Sequence, residues 1–215
     1  MNKQKRILNV LALFVLVALA CDLTINFPGT PRTPTPTTAS GFPWPDEGGD
    51  CFLLTAGPTT IYTRPSTEAD VFSEVGAGFQ ATVTGRTADG WAGFDPGIAQ
   101  AANIGPFRLR WVFFNDATFS GGCVDVSEVW GPLPGHCYTM PMESVNVYED
   151  ADTSSDVLVT LEVEEFAAVT GLTGTGWAQV DLGPGNTGLT GIGWMEQGSL
   201  NLNGNTCDEL PTVSP

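Results

Sequence analysis

The run VTGRTADGWAGFDPG, Val83–Gly97, returns as VTGLTGTGWAQVDLG, Val169–Gly183. The copies lie 86 residues apart, and the same offset carries Cys51 onto Cys137, Tyr62 onto Tyr148 and Asp70-Val71 onto Asp156-Val157. Over residues 51–97, 15 of 47 positions are identical. Chance matching gives about a twentieth, so the third seen here marks an internal duplication. The offset then drops to 83, and Trp111 meets Trp194.

Each copy is a series of short β-rich runs broken by Gly, Asp and Pro clusters. Ala178-Gln-Val180-Asp-Leu182 and Val159-Thr-Leu161-Glu-Val163 alternate with period two. So does Phe107-Arg108-Leu109-Arg110-Trp111, which predicts a strand with both Arg on one face. No segment after residue 20 carries a long, capped helical period. The expectation is an all-β chain of two tandem small barrels.

Cysteine spacing fits that plan. Setting Cys21 aside leaves Cys51, Cys123, Cys137 and Cys207, with gaps of 72, 14 and 70 residues. Four Cys allow three connectivities. The two nearly equal long spans favour Cys51–Cys123 and Cys137–Cys207, one staple per copy. No C-x-x-C spacing is present, which argues against structural zinc.

The N-terminus reads as an export signal. Lys3, Lys5 and Arg6 precede an apolar run, Ile7–Ala20. Fourteen helical residues span about 21 Å, too short for a hydrocarbon core of about 30 Å. Val17-Ala18-Leu19-Ala20-Cys21 resembles a bacterial lipobox, which implies cleavage before Cys21 and a lipid on its sulfur. A Pro/Thr-rich run around Pro28–Thr38 then excludes helix and central strand, and reads as a semi-rigid spacer. The expected organisation is a signal peptide over 1–20, a lipid-anchored linker over 21–50, a first barrel over 51–123, a linker over 124–136, a second barrel over 137–207 and a tail over 208–215.

The second copy runs Val145-Asn-Val147-Tyr148, Asp156-Val-Leu158, Ala168-Val-Thr-Gly171, Gly176-Trp177-Ala-Gln-Val180 and Gly193-Trp194-Met195. This order resembles bacterial Src-homology-3-type (SH3b) domains. The first copy resembles them through Ile61-Tyr62, Val71-Phe72, Ala81-Thr-Val83 and Gly90-Trp91-Ala-Gly-Phe94, with Arg110-Trp111 in place of the last Gly-Trp. Both copies depart from the family's Arg-x-Gly-Pro after the first strand, having Thr63-Arg64-Pro65 and Glu149-Asp150. The resemblance implies SH3-like barrels and a non-catalytic role in binding peptidoglycan, its peptides or an envelope protein. Tyr62 and Tyr148, with Trp91, Trp177, Trp111 and Trp194, are the expected groove residues.

Charge limits the partners. Eight Lys+Arg face 24 Asp+Glu, a net −16. Loss of residues 1–20 removes three basic residues and no acid, leaving five Arg and a charge of −19. This argues against nucleic acid, whose binding rests on neutralised phosphates. The excess is uneven. Residues 51–123 hold four Arg and six acids, whereas 137–207 hold ten acids and no base. The second copy therefore suits a cationic partner. The run Asp150-Ala-Asp152-Thr-Ser154-Ser-Asp156 resembles half a calcium loop but lacks its turn Gly and its closing Glu. Calcium is the one candidate cofactor, in a calcium-dependent adhesive or structural lipoprotein. An enzyme is not expected, because the single His136 adjoins a Cys assigned to a disulfide. The expected location is the extracytoplasmic side of a bacterial membrane, through the lipid on Cys21.

Overall fold

The computed structural model describes residues 41–100 and 103–215. Cys21, the apolar N-terminal run expected to be a signal and the Pro/Thr-rich run lie outside them. The first half contains β1 (Phe52–Leu54), β2 (Thr59–Tyr62), β3 (Val71–Val75), β4 (Gln80–Thr82), β5 (Gly85–Arg86), β6 (Trp91–Phe94), β7 (Arg110–Phe113) and β8 (Thr118–Ser120). The second contains β9 (Cys137–Thr139), β10 (Val145–Tyr148), β11 (Val157–Leu161), β12 (Ala167–Leu172), β13 (Trp177–Asp181), β14 (Ile192–Glu196) and β15 (Leu202–Asn203). The only helical pieces among the described residues are short 3-10 turns.

The second half pairs its strands in the order β11-β10-β14-β13-β12-β9-β15. The first half gives β3-β2-β7-β6-β5 and β4-β1-β8. Strands β4 and β5 together correspond to β12, so the order is the same, interrupted once at Val83-Thr84. Every ladder is antiparallel. Among the described residues no ladder joins the outer strands of either set, so the pairings are open where the sequence predicts closed barrels.

Several identities of the repeat are turn chemistry. Thr87 and Thr173 each accept the backbone N–H of the Trp four residues on, at 3.0 and 2.9 Å. Asp95 and Asp181 each accept the N–H two residues on, from Gly97 and Gly183, both at 2.9 Å. Such local side-chain bonds fix a turn whatever packs outside it. The irregularity in β2 at Ile61/Tyr62 recurs in β10 at Val147/Tyr148.

Both disulfides join the expected partners, Cys51–Cys123 and Cys137–Cys207, with Cα atoms 4.6 and 4.8 Å apart. Each half has its own core. Leu53, Ile61, Val83, Ala92, Phe94 and Val112 fill the first. Val147, Leu161, Val169, Ala178, Val180 and Met195 fill the second. A third cluster lies between the halves, where Phe107 of the first meets Tyr138, Met140, Phe166 and Ala168 of the second. All the described residues belong to one compact unit.

Described parts of the three stretches read as linker, linker and tail pack on this body: residues around 42–44, 124–129 and 208–213. Trp44 N–H donates to Phe42 O at 2.9 Å, a tight turn over Pro43 that sets the two rings close together. Phe42 packs on Phe113 and Phe114, and Trp44, 7% exposed, packs on Phe114 and Phe119. Past the second Cys of each half, the chain lies parallel beside one strand. Arg86 bridges to Glu128, and Leu172 to Thr212. The flanking bonds match as well: Arg86 N–H to Ser127 O and Val129 N–H to Arg86 O, then Leu172 N–H to Pro211 O and Val213 N–H to Leu172 O. Residues 124–129 and 208–213 are thus equivalent parts of the duplicated unit.

One reading of alternation fails. Residues Gly105–Arg108 form a 3-10 turn, with Pro106 in its first positions and Gly105 at φ +49°, and β7 starts only at Arg110. Proline and a positive φ break the strand that period two predicts. Arg108 and Arg110 therefore part company: Arg108 is 45% exposed and Arg110 is 8% exposed. Likewise β11 stops at Leu161, and Val163 is exposed in the turn beyond it.

The packing of Phe42 is testable through two equivalent glycines. Gly90 and Gly176 both have φ +92°. A Cβ on Gly90 would lie 2.4 Å from the Phe42 ring, whereas a Cβ on Gly176 meets nothing within 4 Å. Gly176→Ala should lower stability by the backbone cost alone, about 1–2 kcal/mol. Gly90→Ala should cost more, and the excess should vanish in a Phe42→Ala background. Chemical denaturation of the four variants checks this; equal costs in the parent would put Phe42 elsewhere.

Candidate functional site

The recurring aromatic residues are brought together in both halves. Tyr62 meets Trp91 edge-on at 5.6 Å, and Tyr148 meets Trp177 edge-on at 5.8 Å. Tyr62 pairs in register with Trp111, and Tyr148 with Trp194. Trp91, Trp111 and Trp194 are buried, Trp111 fully. Only Tyr62, Tyr148 and Trp177 remain half-buried, so these three alone of the six are accessible to a ligand.

The acidic loop is satisfied by its own chain. Asp152 accepts the N–H of Ser154 at 2.8 Å, which holds its carboxyl below the usual carboxylate range. Ser155 donates to the carbonyls of Asp150 and Asp152, and Glu149 N–H reaches Asp156 O. Among the described residues no group of three or more His, Cys, Asp or Glu side chains is gathered to hold a metal.

A third location was not singled out from sequence. A cleft of about 360 Å³ opens between the halves, walled by Arg64, Arg110 and Phe107 from the first and by Asn203 and Thr206 from the second. That volume falls within the range of small-ligand sites, about 300–1,000 Å³. Arg64 follows β2. Its guanidinium lies over the Phe107 ring, 4.6 Å from the centroid, and 5.9 Å from that of Tyr138. It donates to the Asn203 side-chain oxygen, and Asn203 in turn donates to Asn103 at 2.6 Å. Burial lowers the Arg64 pKa to about 10, so it remains a cation at neutral pH. The Arg110 guanidinium carbon lies over Phe72, 4.6 Å from the ring centroid. Its Nη atoms donate to Leu109 O at 2.8 Å and to Gln100 Oε1 at 2.6 Å, while its Nε has no partner. Burial also lowers the Arg110 pKa. The Thr206 hydroxyl is buried and lacks a partner too.

Among the described residues the ion pairs are Arg86–Glu128 at 3.7 Å and Arg108–Asp95 at 3.0 Å. Arg64 and Arg110 are the two described Arg outside an ion pair, and both line this cleft. His136 lines it as well, beside the disulfide-bonded Cys137. The sequence signal for the site was the pair of departures Arg64 and Arg110, which have no basic counterpart in the second copy, where Asp150 and Gly193 stand.

No family model matches the chain, and no curated protein matches it. Among solved structures, NlpC2 from Trichomonas vaginalis is similar over 71% of this chain and 47% of its own, at 10% identity and a TM-score of 0.25. NlpC1 from Trichomonas vaginalis is similar over 80% and 51%, at 11% and 0.25. The endolysin LysPBC5 CBD is similar over 74% and 98%, at 14% and 0.21. The chain spans about half the length of each Trichomonas protein. Likeness at this level assigns neither fold nor ligand.

Proposed function

We propose that the protein is a non-catalytic, lipid-anchored extracytoplasmic binder, whose two SH3-like halves hold cell-envelope material, peptidoglycan or its peptides. The observation that carries this reading is the duplicated seven-strand order with a disulfide staple in each copy and a cleft between them. Disulfides persist in oxidising compartments, which supports export. The signal-like N-terminus and the lipobox-like Cys21 support a membrane anchor. Two small scaffolds that share their turns but differ in charge fit recognition better than turnover, since fold alone implies no chemistry.

Co-sedimentation of the purified full chain with isolated cell-wall sacculi tests the reading. Most of the protein is expected in the pellet. Full recovery in the supernatant at low salt would remove the cell-wall assignment.

A further inference from the structure

We propose that the cleft between the halves is an anion site that receives the free carboxylate of a peptide end, gripped by Arg64, Arg110 and the Thr206 hydroxyl. The proposal rests on the envelope-binding reading and names what that cleft would hold.

The chain carries a large acidic excess, yet among the described residues the two Arg outside ion pairs meet in one place. A buried guanidinium is costly to keep without a counter-charge. Each guanidinium carbon sits over a ring, Arg64 over Phe107 and Arg110 over Phe72, both 4.6 Å from the centroid, and the cation–π contact restrains the group. A planar, restrained donor suits a planar carboxylate. Arg110 is 8% exposed, and its Nε is left without an acceptor. The Thr206 oxygen, contributed by the other half, is likewise left without a partner. Unsatisfied buried donors are rare in folded proteins, and two in one cleft mark where an acceptor belongs.

The surroundings select among anions. Glu68 and Asp70 also line the cleft, so a dianion such as phosphate meets repulsion that a single carboxylate meets less. Phe107, Leu133 and Pro134 supply an apolar wall beside the cations. A small apolar side chain next to a terminal carboxylate fits that wall; the hydroxyl-studded ring of a sugar acid fits it poorly.

The test uses the full-length protein with both disulfides intact, titrated with acetyl-alanyl-alanine, with its C-terminal amide, with glucuronate and with inorganic phosphate. The Arg110 Nε–H cross-peak in a proton–nitrogen spectrum reports the site directly. It is expected to shift with the peptide acid and to stay in place with the amide. Thr206→Val removes a hydroxyl that bonds nothing in the free protein. It is expected to weaken acid binding about three- to tenfold while leaving the melting temperature unchanged or slightly higher. Arg64→Gln is expected to weaken it at least about tenfold. Glucuronate or phosphate binding more tightly than the peptide acid overturns the peptide assignment. Equal binding of acid and amide, or a Thr206→Val protein with parental affinity, overturns the anion site. Should the parent bind sacculi while the peptide acid shifts nothing, this inference fails and the envelope reading stands. Should the peptide acid bind and sacculi not, the envelope reading fails alone.

Discussion

Removing the second staple, by Cys137→Ala with Cys207→Ala, is expected to lower stability by about 4 kcal/mol in the chain-entropy model. The bridge closes a loop of 70 residues and ties β9 to the turn after β15. Those two strands are three and two residues long, so their own ladder adds little. Without the bridge, β15 keeps its two-residue ladder to β9 and the neighbouring Met140 N–H bond to Asn201 O at 3.0 Å. It would fray, and Asn203 and Thr206 of the cleft would fray with it. The first staple should cost a similar amount, because its loop is 72 residues. The two differ in access. Cys51 and Cys123 are 2% and 0% exposed, whereas Cys207 is only half-buried. Mild reductant should therefore open Cys137–Cys207 first. Alkylation during stepwise reduction, read by mass spectrometry, gives the order. Prior loss of Cys51–Cys123 would contradict the burial argument.

The repeat was legible because it is written in local chemistry. Thr87/Thr173, Gly90/Gly176 and Asp95/Asp181 shape turns with their own side chains and backbone, so their identity survives whatever packs around them. The staples were legible for the same reason: equal spans reflect equal units. What sits between the halves is not local. Phe52, Gln80 and Thr82 of the first half stand where the second has Tyr138, Phe166 and Ala168. Gln80 and Thr82 face solvent; Phe166 and Ala168 are buried against Phe107. That polar-to-apolar change was present in the aligned copies, but alternation within one copy gives no sign of which outer face another half will cover. Arg108 and Arg110 show the converse. Period two put them on one face, and Pro106 undid it. The cleft escaped detection because its donors come from both halves, and neither half alone holds the site.

Phe166→Ala is the change expected to separate the halves. Phe166 is 1% exposed, and its ring stands edge-on to Phe107 at 5.1 Å and to Tyr138 at 5.2 Å. Its backbone cannot easily sink into the space left behind. The Phe166 N–H donates to Asn186 Oδ1 at 2.7 Å, and the Asn186 N–H donates back to Phe166 O at 3.3 Å. A Cβ on Gly185 would lie 2.1 Å from that same carbonyl, so the loop already presses on it. A cavity that cannot collapse puts the cost near the upper end for a Phe deletion, about 3–5 kcal/mol. The form of the loss is as telling as its size. Each half keeps its own core and staple, so removing the shared ring should turn one thermal transition into two. Phe107 also forms the wall under Arg64, and its loosening should weaken peptide-acid binding without any change to the cationic groups themselves. Phe52→Ala, at the half-buried position equivalent to Tyr138, is the control and should lower a single transition by less. Calorimetry decides: if Phe166→Ala unfolds in one transition shifted no further than Phe52→Ala, the ring trio does not couple the halves, and the cleft between them owes its shape to Asn103, Asn203 and Arg64 alone.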